Sequence, residues 1–520
     1  SKCKGNGGKI VHINPLPEVG TTKFINPQSP LEILKGGTEL ADIYLPVKVG
    51  GDFALMQYIQ HRLYVRSLSN SNVVAQSFVK EKTIGFDSWV SYYEKFEISE
   101  DDFFTATGLT KAEVEHVVDE LVATDEIISC WAMGLTQQKH GVATIQEVVN
   151  IHLLRGAIGK ANAGVCPVRG HSNVQGDRTM GIYEKPKPAF MERLEKHWNR
   201  SFVREEGYDV VESIQAMEQG KVKFFMAMGG NFISATPDSE RTGKAMQNVS
   251  LTVQVSTKLN RVHCVTGDHA LILPCLGRTE KDMQKSGEQF VTVENSMGIV
   301  HTSRGINSPC SKDLMSEPAI VSGIAQALFQ GGDQINWAAM AENYDVVRNH
   351  IEGSIAGFDD YNNRVRKPDG FYLPNGPREG MFTTPSGKAH FTLSPLEVDQ
   401  VEPGRFIMMT IRSHDQYNTT IYGLDDRYRG ITNERRVVLI NPKDMSDAGL
   451  SKMSEVDIVS HFNQTERIAE RFLIIPFEIA RGCVATYFPE TNCLVPLEHT
   501  ARKSNTPVSK WIEVELRLRA

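Results

Sequence analysis

The stretch V-C-P-V-R-G-H-S-N-V-Q-G-D, residues 165 to 177, sets Arg169, His171, Asn173 and Gln175 on alternate positions. An extended backbone would turn all four side chains to one side. Arginine offers a planar fork for carboxylate or phosphate, and the two amides can read the edge of a heterocycle. The alternative is a polar inter-domain loop whose side chains cap neighbouring helices.

Two further stretches have the form of anion sites. Gly50-Gly51-Asp52 and Gly229-Gly230-Asn231 each follow a short apolar run. At the carboxyl edge of a parallel sheet, paired glycines let backbone N–H groups approach a pyrophosphate, and an acidic residue such as Asp52 can bond a ribose or the N–H edge of guanine. Structural two-glycine turns are common, and neither stretch is the G-x-G-x-x-G fingerprint, so NAD is not indicated. Ser413-His414-Asp415 names the members of a hydrolase triad, but adjacent residues cannot assemble that geometry. His263 and His269 flank a turn and read as structural, while K-S-N-T-P-V-S-K (503–510) is a small polar turn able to cradle a phosphate or simply to join two strands.

Totals narrow the classes. With 520 residues the chain should divide into several domains. A net charge of -7 excludes a nucleic-acid partner as the first reading. No apolar run reaches the ~18 residues that span a bilayer, and no leader pattern opens the chain, so a cytoplasmic location is expected. The eight cysteines include no C-x-x-C pair, and they read as reduced, mostly buried side chains rather than zinc or iron–sulfur ligands.

The elements that must position these groups follow an α/β rhythm. K-I-V-H-I (9–13) reads as a buried parallel strand, and so few residues precede it that the chain is expected to start inside a domain. Residues 44–63 give strand, glycine turn and helix, with Leu55, Met56, Ile59 and Leu63 apolar. T-K-A-E (110–113) and T-I-Q-E (144–147) read as capping boxes opening helices. Strands at 222–231, 251–256 and 270–274 alternate with helices such as 317–330, the pattern of a second α/β domain. Beyond residue 400 the texture changes to short strands at 406–412, 437–440, 456–460, 472–476 and 511–518, which predicts a β-barrel or sandwich. The glycine- and proline-rich stretch 353–388 reads as a connector or a surface excursion.

These segments, in this order, resemble the catalytic subunits of molybdopterin oxidoreductases of the formate dehydrogenase type, and within them a branch linked to acid resistance in bacteria. The resemblance is carried by H-L-L-R-G-A-I-G-K-A-N-A-G-V-C-P-V-R-G-H-S-N-V-Q-G-D (152–177), T-P-S-G-K-A-H-F (384–391), I-R-S-H-D-Q-Y-N-T (411–419), V-L-I-N-P-K-D (438–444) and P-E-T-N-C-L-V-P…K-S-N-T-P (489–507), and it runs over essentially the whole chain.

The resemblance implies an α/β fold with two αβα dinucleotide-binding-type domains, the first truncated at its N-terminus (1–172, then 173–400), followed by a six-stranded-type β-barrel (401–520). It implies a molybdenum or tungsten ion held by the dithiolene sulfurs of two molybdopterin guanine dinucleotides. Arg169 and His171 would be the catalytic residues beside the metal. Formate dehydrogenases usually carry glutamine where this chain has His171, and that departure argues against formate itself as substrate. Asn14, Gly51, Asp52, Asn173, Gln175, Gly230, Asn231, Arg412, Ser413, His414, Asn418, Thr419, Asn492, Ser504 and Asn505 would bind the cofactor. The family's 4Fe-4S cluster and its metal ligand would lie upstream, Cys166 standing where the motif ordinarily has a non-ligand. The chain alone would then bind cofactor poorly and be inactive. A small-molecule substrate and an electron-transfer partner protein complete the expectation, and its competitor is a non-catalytic cofactor-binding or interaction protein that keeps the scaffold.

Overall fold

A computed structural model describes residues 2–25, 37–170, 173–332, 334–419 and 421–519. By Cα packing the chain forms two compact units, one of residues 1–165, 234–239 and 376–520, the other of 166–233 and 240–375.

In the first unit, β1 (Val11–Ile13) and β2 (Ile43–Leu45) pair in parallel. Helices α1 (Asp52–Ser67), α2 (Lys111–Ala123) and α3 (Gly141–Leu154) share their core, in which Leu45, Leu55, Ile59, Leu63, Trp89, Val114 and Ile151 are buried together. The Thr110 capping box forms as predicted, its hydroxyl taking the Glu113 N–H while the Glu113 carboxylate takes the Thr110 N–H.

The second capping box does not form. Helix α3 begins at Gly141, so Thr144 lies inside it and its hydroxyl bonds the His140 carbonyl. Glu147 is 1% exposed and is held by side-chain amides from two helices. A capping-box pattern three residues into an apolar helix was mistaken for its start, because burial of Glu147 leaves no signature in spacing.

The second unit opens where the chain leaves the short strand Gly164–Pro167. The predicted extended run to residue 177 ends early, since α4 (Val174–Thr179) already contains Gln175, with Asn173 at its N-cap. Three parallel strands follow, β3 (Phe224–Met228), β4 (Leu251–Ser256) and β5 (His269–Pro274), with β4 central. An antiparallel hairpin comes next, β6 (Val291–Glu294) and β7 (Ile299–Ser303). Helix α5 (Glu317–Phe329) packs Ile320 on Val255 and Cys275. The stretch expected as a connector is more than that. Phe358, Tyr361, Val365 and Phe371 close a small core with Phe290 and Val300, because the aromatic residues scattered among its glycines meet on one side.

The chain then returns to the first unit as a closed six-stranded barrel, made of β8 (Phe406–Ile411), β9 (Val437–Ile440), β10 (Glu455–Phe462), β11 (Thr465–Pro476), β12 (Cys483–Tyr487) and β13 (Ile512–Leu518). The order around it is β8-β12-β9-β11-β10-β13, with β8 parallel to β12 and β9 parallel to β11. Strand β12, C-V-A-T-Y, escaped the sequence reading. It is buried along its whole length and small-residue-rich, so it shows neither alternation nor a strong apolar run. The barrel interior holds Met408, Val438, Ile458, Phe472, Val484 and Val514. A second cluster joins its outer face to Leu16 and Val49 of the same unit.

Candidate functional site

In the first unit the glycine turn, a glutamine pair and the polar turn near the C-terminus converge. A Cβ on Gly50, whose φ is +88°, would approach the Trp511 ring to 2.6 Å, and one on Gly51 would approach the Ala106 carbonyl to 2.6 Å. These glycines therefore permit close packing. Asp52 opens α1 and is 8% exposed. Burial pushes its carboxyl up to about 6, and the Gln138 side-chain N–H donates to it at 3.3 Å. The Gln137 carbonyl accepts from the Lys510 N–H at 3.1 Å, its side-chain oxygen accepts from Ser509 Oγ at 2.8 Å, and the Lys139 carbonyl accepts from the Arg502 N–H at 3.0 Å. Ser504 is exposed in the same loop, and Asn505 adopts a left-handed conformation there. Asn14 ends β1, its N–H on the Leu45 carbonyl and its own carbonyl accepting from Tyr44 Oη. Gln137 and Gln138 were missed. Their signal was a run of amides, T-Q-Q-K, after the short strand Ile128–Trp131.

The barrel adds a cationic pair. Arg412 follows β8, with Nε buried and unpartnered and its guanidinium 4.9 Å from the Phe488 ring. Lys510 Nζ donates to the Thr410 carbonyl. Desolvation, helped by the charge of Arg412, pulls the Lys510 ammonium down to about 7. Desolvation lowers Arg412 as well. Neither cation pairs with a carboxylate among the described residues. Lys510 closes the polar turn 503–510 that the sequence offers as a phosphate cradle or a strand connection, but nothing in that stretch marks it as the buried partner of Arg412.

The neighbouring predicted residues bond largely to their own unit. Ser413 Oγ accepts from Arg435 at 2.9 Å. His414 Nδ1 lies 2.9 Å from Asp426 and Nε2 3.5 Å from Glu18, and the two carboxylates raise the imidazole to about 9. Asp426 also receives Tyr487 Oη at 2.8 Å and Arg429 at 2.9 Å. Asn418 is left-handed, its carbonyl accepting from Gln416, and Thr419 is buried beside it. Asn492 Nδ2 donates to the Ser234 carbonyl at 2.9 Å.

In the second unit, Gly229 and Gly230 end β3 at φ +69° and +71°, with nothing within 4 Å of where a Cβ would stand. Gly229 N–H donates to the Val255 carbonyl at 2.7 Å, and Asn260 Nδ2 donates to the Gly230 carbonyl at 2.8 Å. Asn231 is 6% exposed, yet its Oδ1 has no hydrogen-bond partner among the described residues. Both polar atoms of the Gln254 side chain on β4, and Nε2 of His263, are buried and likewise unpartnered among those residues. Buried polar groups are normally satisfied, so such a set at a parallel-sheet edge points to a polar guest. Sequence reading had Gly230 and Asn231, took His263 as structural and passed over Gln254 and Asn260.

Arg169 is exposed, with Nε on Gln175 Oε1 at 3.1 Å and its backbone N–H on Ser296 Oγ at 3.2 Å. Asn173 Oδ1 accepts the Glu294 N–H at 3.0 Å. His171 lies outside the described residues. Among the described residues no group of three or more His, Cys, Asp or Glu side chains could hold a metal ion, and no helix is long and apolar enough to cross a membrane.

Residues 25–290 match the family model described as molybdopterin oxidoreductase, and 406–511 that described as molydopterin dinucleotide binding domain. An uncharacterized oxidoreductase of Mycobacterium tuberculosis is 48% identical over 99% of this chain and 67% of its own length. The alpha subunit of an F420-dependent formate dehydrogenase of Methanocaldococcus jannaschii is 23% identical over 92% of the chain and 69% of its own. Among solved structures, acetylene hydratase from Pelobacter acetylenicus shares the fold with a TM-score of 0.63 at 14% identity, covering 99% of this chain and 74% of that one. The chain belongs to the molybdopterin oxidoreductase family. A molybdenum–molybdopterin cofactor and oxidoreductase chemistry follow from that membership.

Proposed function

We propose that this chain supplies the greater part of a cage for a molybdenum bis(molybdopterin guanine dinucleotide) and belongs to a formate dehydrogenase-like oxidoreductase acting on a small substrate. The observation that carries the reading is the Arg412–Lys510 pair. Two desolvated cations with no carboxylate between them are costly unless an anion joins them, and a dinucleotide pyrophosphate has the required charge. Asp52 suits the paired N–H donors of a guanine edge, since it is an acceptor buried at a helix N-terminus with Gln138 alone donating from another side chain among the described residues. The open Gly229–Gly230 turn and the unpartnered Asn231, Gln254 and His263 suit the second nucleotide in the same way.

When bound, the metal would supply the redox chemistry, and a 4Fe-4S cluster and a partner protein would complete the electron path. The chain's own residues bind and orient. Arg169, the exposed cation of its loop, would hold the substrate's anionic group. His414, with a carboxylate on each ring nitrogen, stays charged and braces the turn that carries Ser413, Asn418 and Thr419. Ser504 and Asn505 would close the nucleotide end from the loop that also bears Lys510.

The test is the composition of the full-length protein purified from a molybdenum-replete host. Stoichiometric molybdenum, oxidised-pterin fluorescence and two GMP released per metal are expected, together with dye reduction by a small oxidisable donor. Protein free of pterin and GMP would remove the cage, while pterin without donor-dependent dye reduction would leave a binding protein. Arg169→Ala should cut turnover by at least tenfold at unchanged molybdenum and GMP content. Loss of both together would make Arg169 structural.

A further inference from the structure

We infer that Glu294, at the end of β6, is the positioning residue that fixes the loop bearing Arg169; the inference rests on the proposed role of Arg169. Glu294 is 6% exposed, and no cation pairs with it among the described residues. Its carboxylate is held instead by neutral donors. Thr179 Oγ1 donates to it at 2.6 Å, and burial raises its carboxyl above the usual range against the opposing pull of the Thr179 hydroxyl and the nearby Gln175 amide. Its backbone N–H donates to Asn173 Oδ1 at 3.0 Å, and two residues on Ser296 Oγ accepts the Arg169 N–H at 3.2 Å.

Together these bonds form a relay with a fixed sense. A carboxylate only accepts, so Glu294 draws the NH2 end of the Gln175 amide toward itself. The opposite end of that amide, its carbonyl, is thereby turned to Arg169 Nε, 3.1 Å away. Without Glu294 the amide is free to present its NH2 to the guanidinium, donor against donor, and Arg169 loses its side-chain anchor. The β6–β7 turn thus clamps both ends of 169–175, by Ser296 at the arginine backbone and by Glu294 at the helix that follows. A buried carboxylate with no cation near it is otherwise an expensive choice at that position.

Hydrogen exchange of the whole chain, together with phenylglyoxal labelling of Arg169 read by mass spectrometry, tests the relay without cofactor or substrate. Glu294→Leu should speed exchange in 168–175 and Arg169 labelling at least fivefold. Peptides from β3 to β5 should stay at wild-type rates. Gln175→Leu should have the same effect, and the double variant no more than either single one. Glu294→Gln, which keeps an acceptor for the Gln175 amide, should restore most of the protection. Unchanged rates in 168–175, or a rise spread equally over the second unit, would overturn the proposal. Where loaded enzyme turns over, Glu294→Leu should raise KM for an anionic donor more than it lowers kcat. A relay confirmed by exchange with KM unmoved would sink the role of Arg169 and leave the clamp standing.

Discussion

At the scale of single residues, the site is built from groups that the fold would be better off without. Asp52 is the plainest. Its carboxyl rises from an ordinary value to about 6, so the folded state gives up stability as pH climbs from 3.8 through 6. At pH 7, Asp52→Asn should therefore stabilise the cofactor-free chain by roughly 1–3 kcal/mol, allowing for the altered Gln138 contact, while lowering GMP content in loaded protein. Urea midpoints read the first effect and nucleotide analysis the second. A destabilised Asn variant would mean that Asp52 serves the fold. Lys510 and His414 pull in opposite directions with pH. Lys510 is held down to about 7, so the unfolded chain binds the extra proton between there and 10.5, and stability rises across that window. His414 is held up to about 9, so its contribution is complete below 6.5 and fades as pH rises through 9. Lys510→Met should turn the alkaline side of the wild-type stability curve downward, and His414→Asn should turn it upward. Millimolar pyrophosphate, by giving Lys510 a counter-charge, should flatten the wild-type rise. The sequence named Asp52 and His414 from the company they keep. It could not name Gln138, nor set Lys510 apart within the turn 503–510, because their roles exist only once strands distant in the chain lie together.

Among the elements, α1 and α3 show how a polar group can be the pin of an apolar interface. Glu147 of α3 takes Gln57 at 3.2 Å and Gln60 at 2.5 Å from α1, and Asn150 at 3.2 Å from its own helix. Gln57 and Asn150 in turn donate to the Ser394 and Thr392 carbonyls, each at 2.7 Å, which ties the returning chain to the same pair of helices. Removing the carboxylate would orphan three buried donors. Glu147→Ala should lower stability by about 3 kcal/mol or more, and Glu147→Gln, which sets an NH2 among those donors, by roughly 1–2 kcal/mol. Chemical denaturation checks both, and a loss below 1 kcal/mol for alanine would mean that the amides find other partners. Helices α1 and α2 were legible because their apolar spacing and the Thr110 cap agree. The start of α3 was not, since its first turn carries no capping side chain and the only capping signature lies inside it.

At the scale of the molecule, the change of texture near residue 400 made the barrel readable as strands, yet it does not mark where packing is cut. Alternation and turn residues are local, and five of the six strands could be found from them. Which surfaces a barrel buries is not local. Ile407, Ile411, Val437, Leu439 and Tyr487 pack with Leu16 and Val49, the Ala480 N–H bonds the Pro15 carbonyl, and Trp511 lies on Gly50. Those contacts bring together segments more than 350 positions apart and place the barrel in one unit with residues 1–165. Unfolding should be cooperative across them. Trp89 sits in the core of the first α/β segment and Trp511 at the foot of β13. Single-tryptophan variants, in which one of these two is the sole remaining member of the chain's five, should therefore lose fluorescence in a single transition with the same urea midpoint and slope. Leu16→Ala, which opens a cavity at the junction, should shift both curves together by about 2–4 kcal/mol. Should the Trp511 signal fall first, or Leu16→Ala move one curve and leave the other in place, the barrel would be a separately folding body and the junction a mere contact.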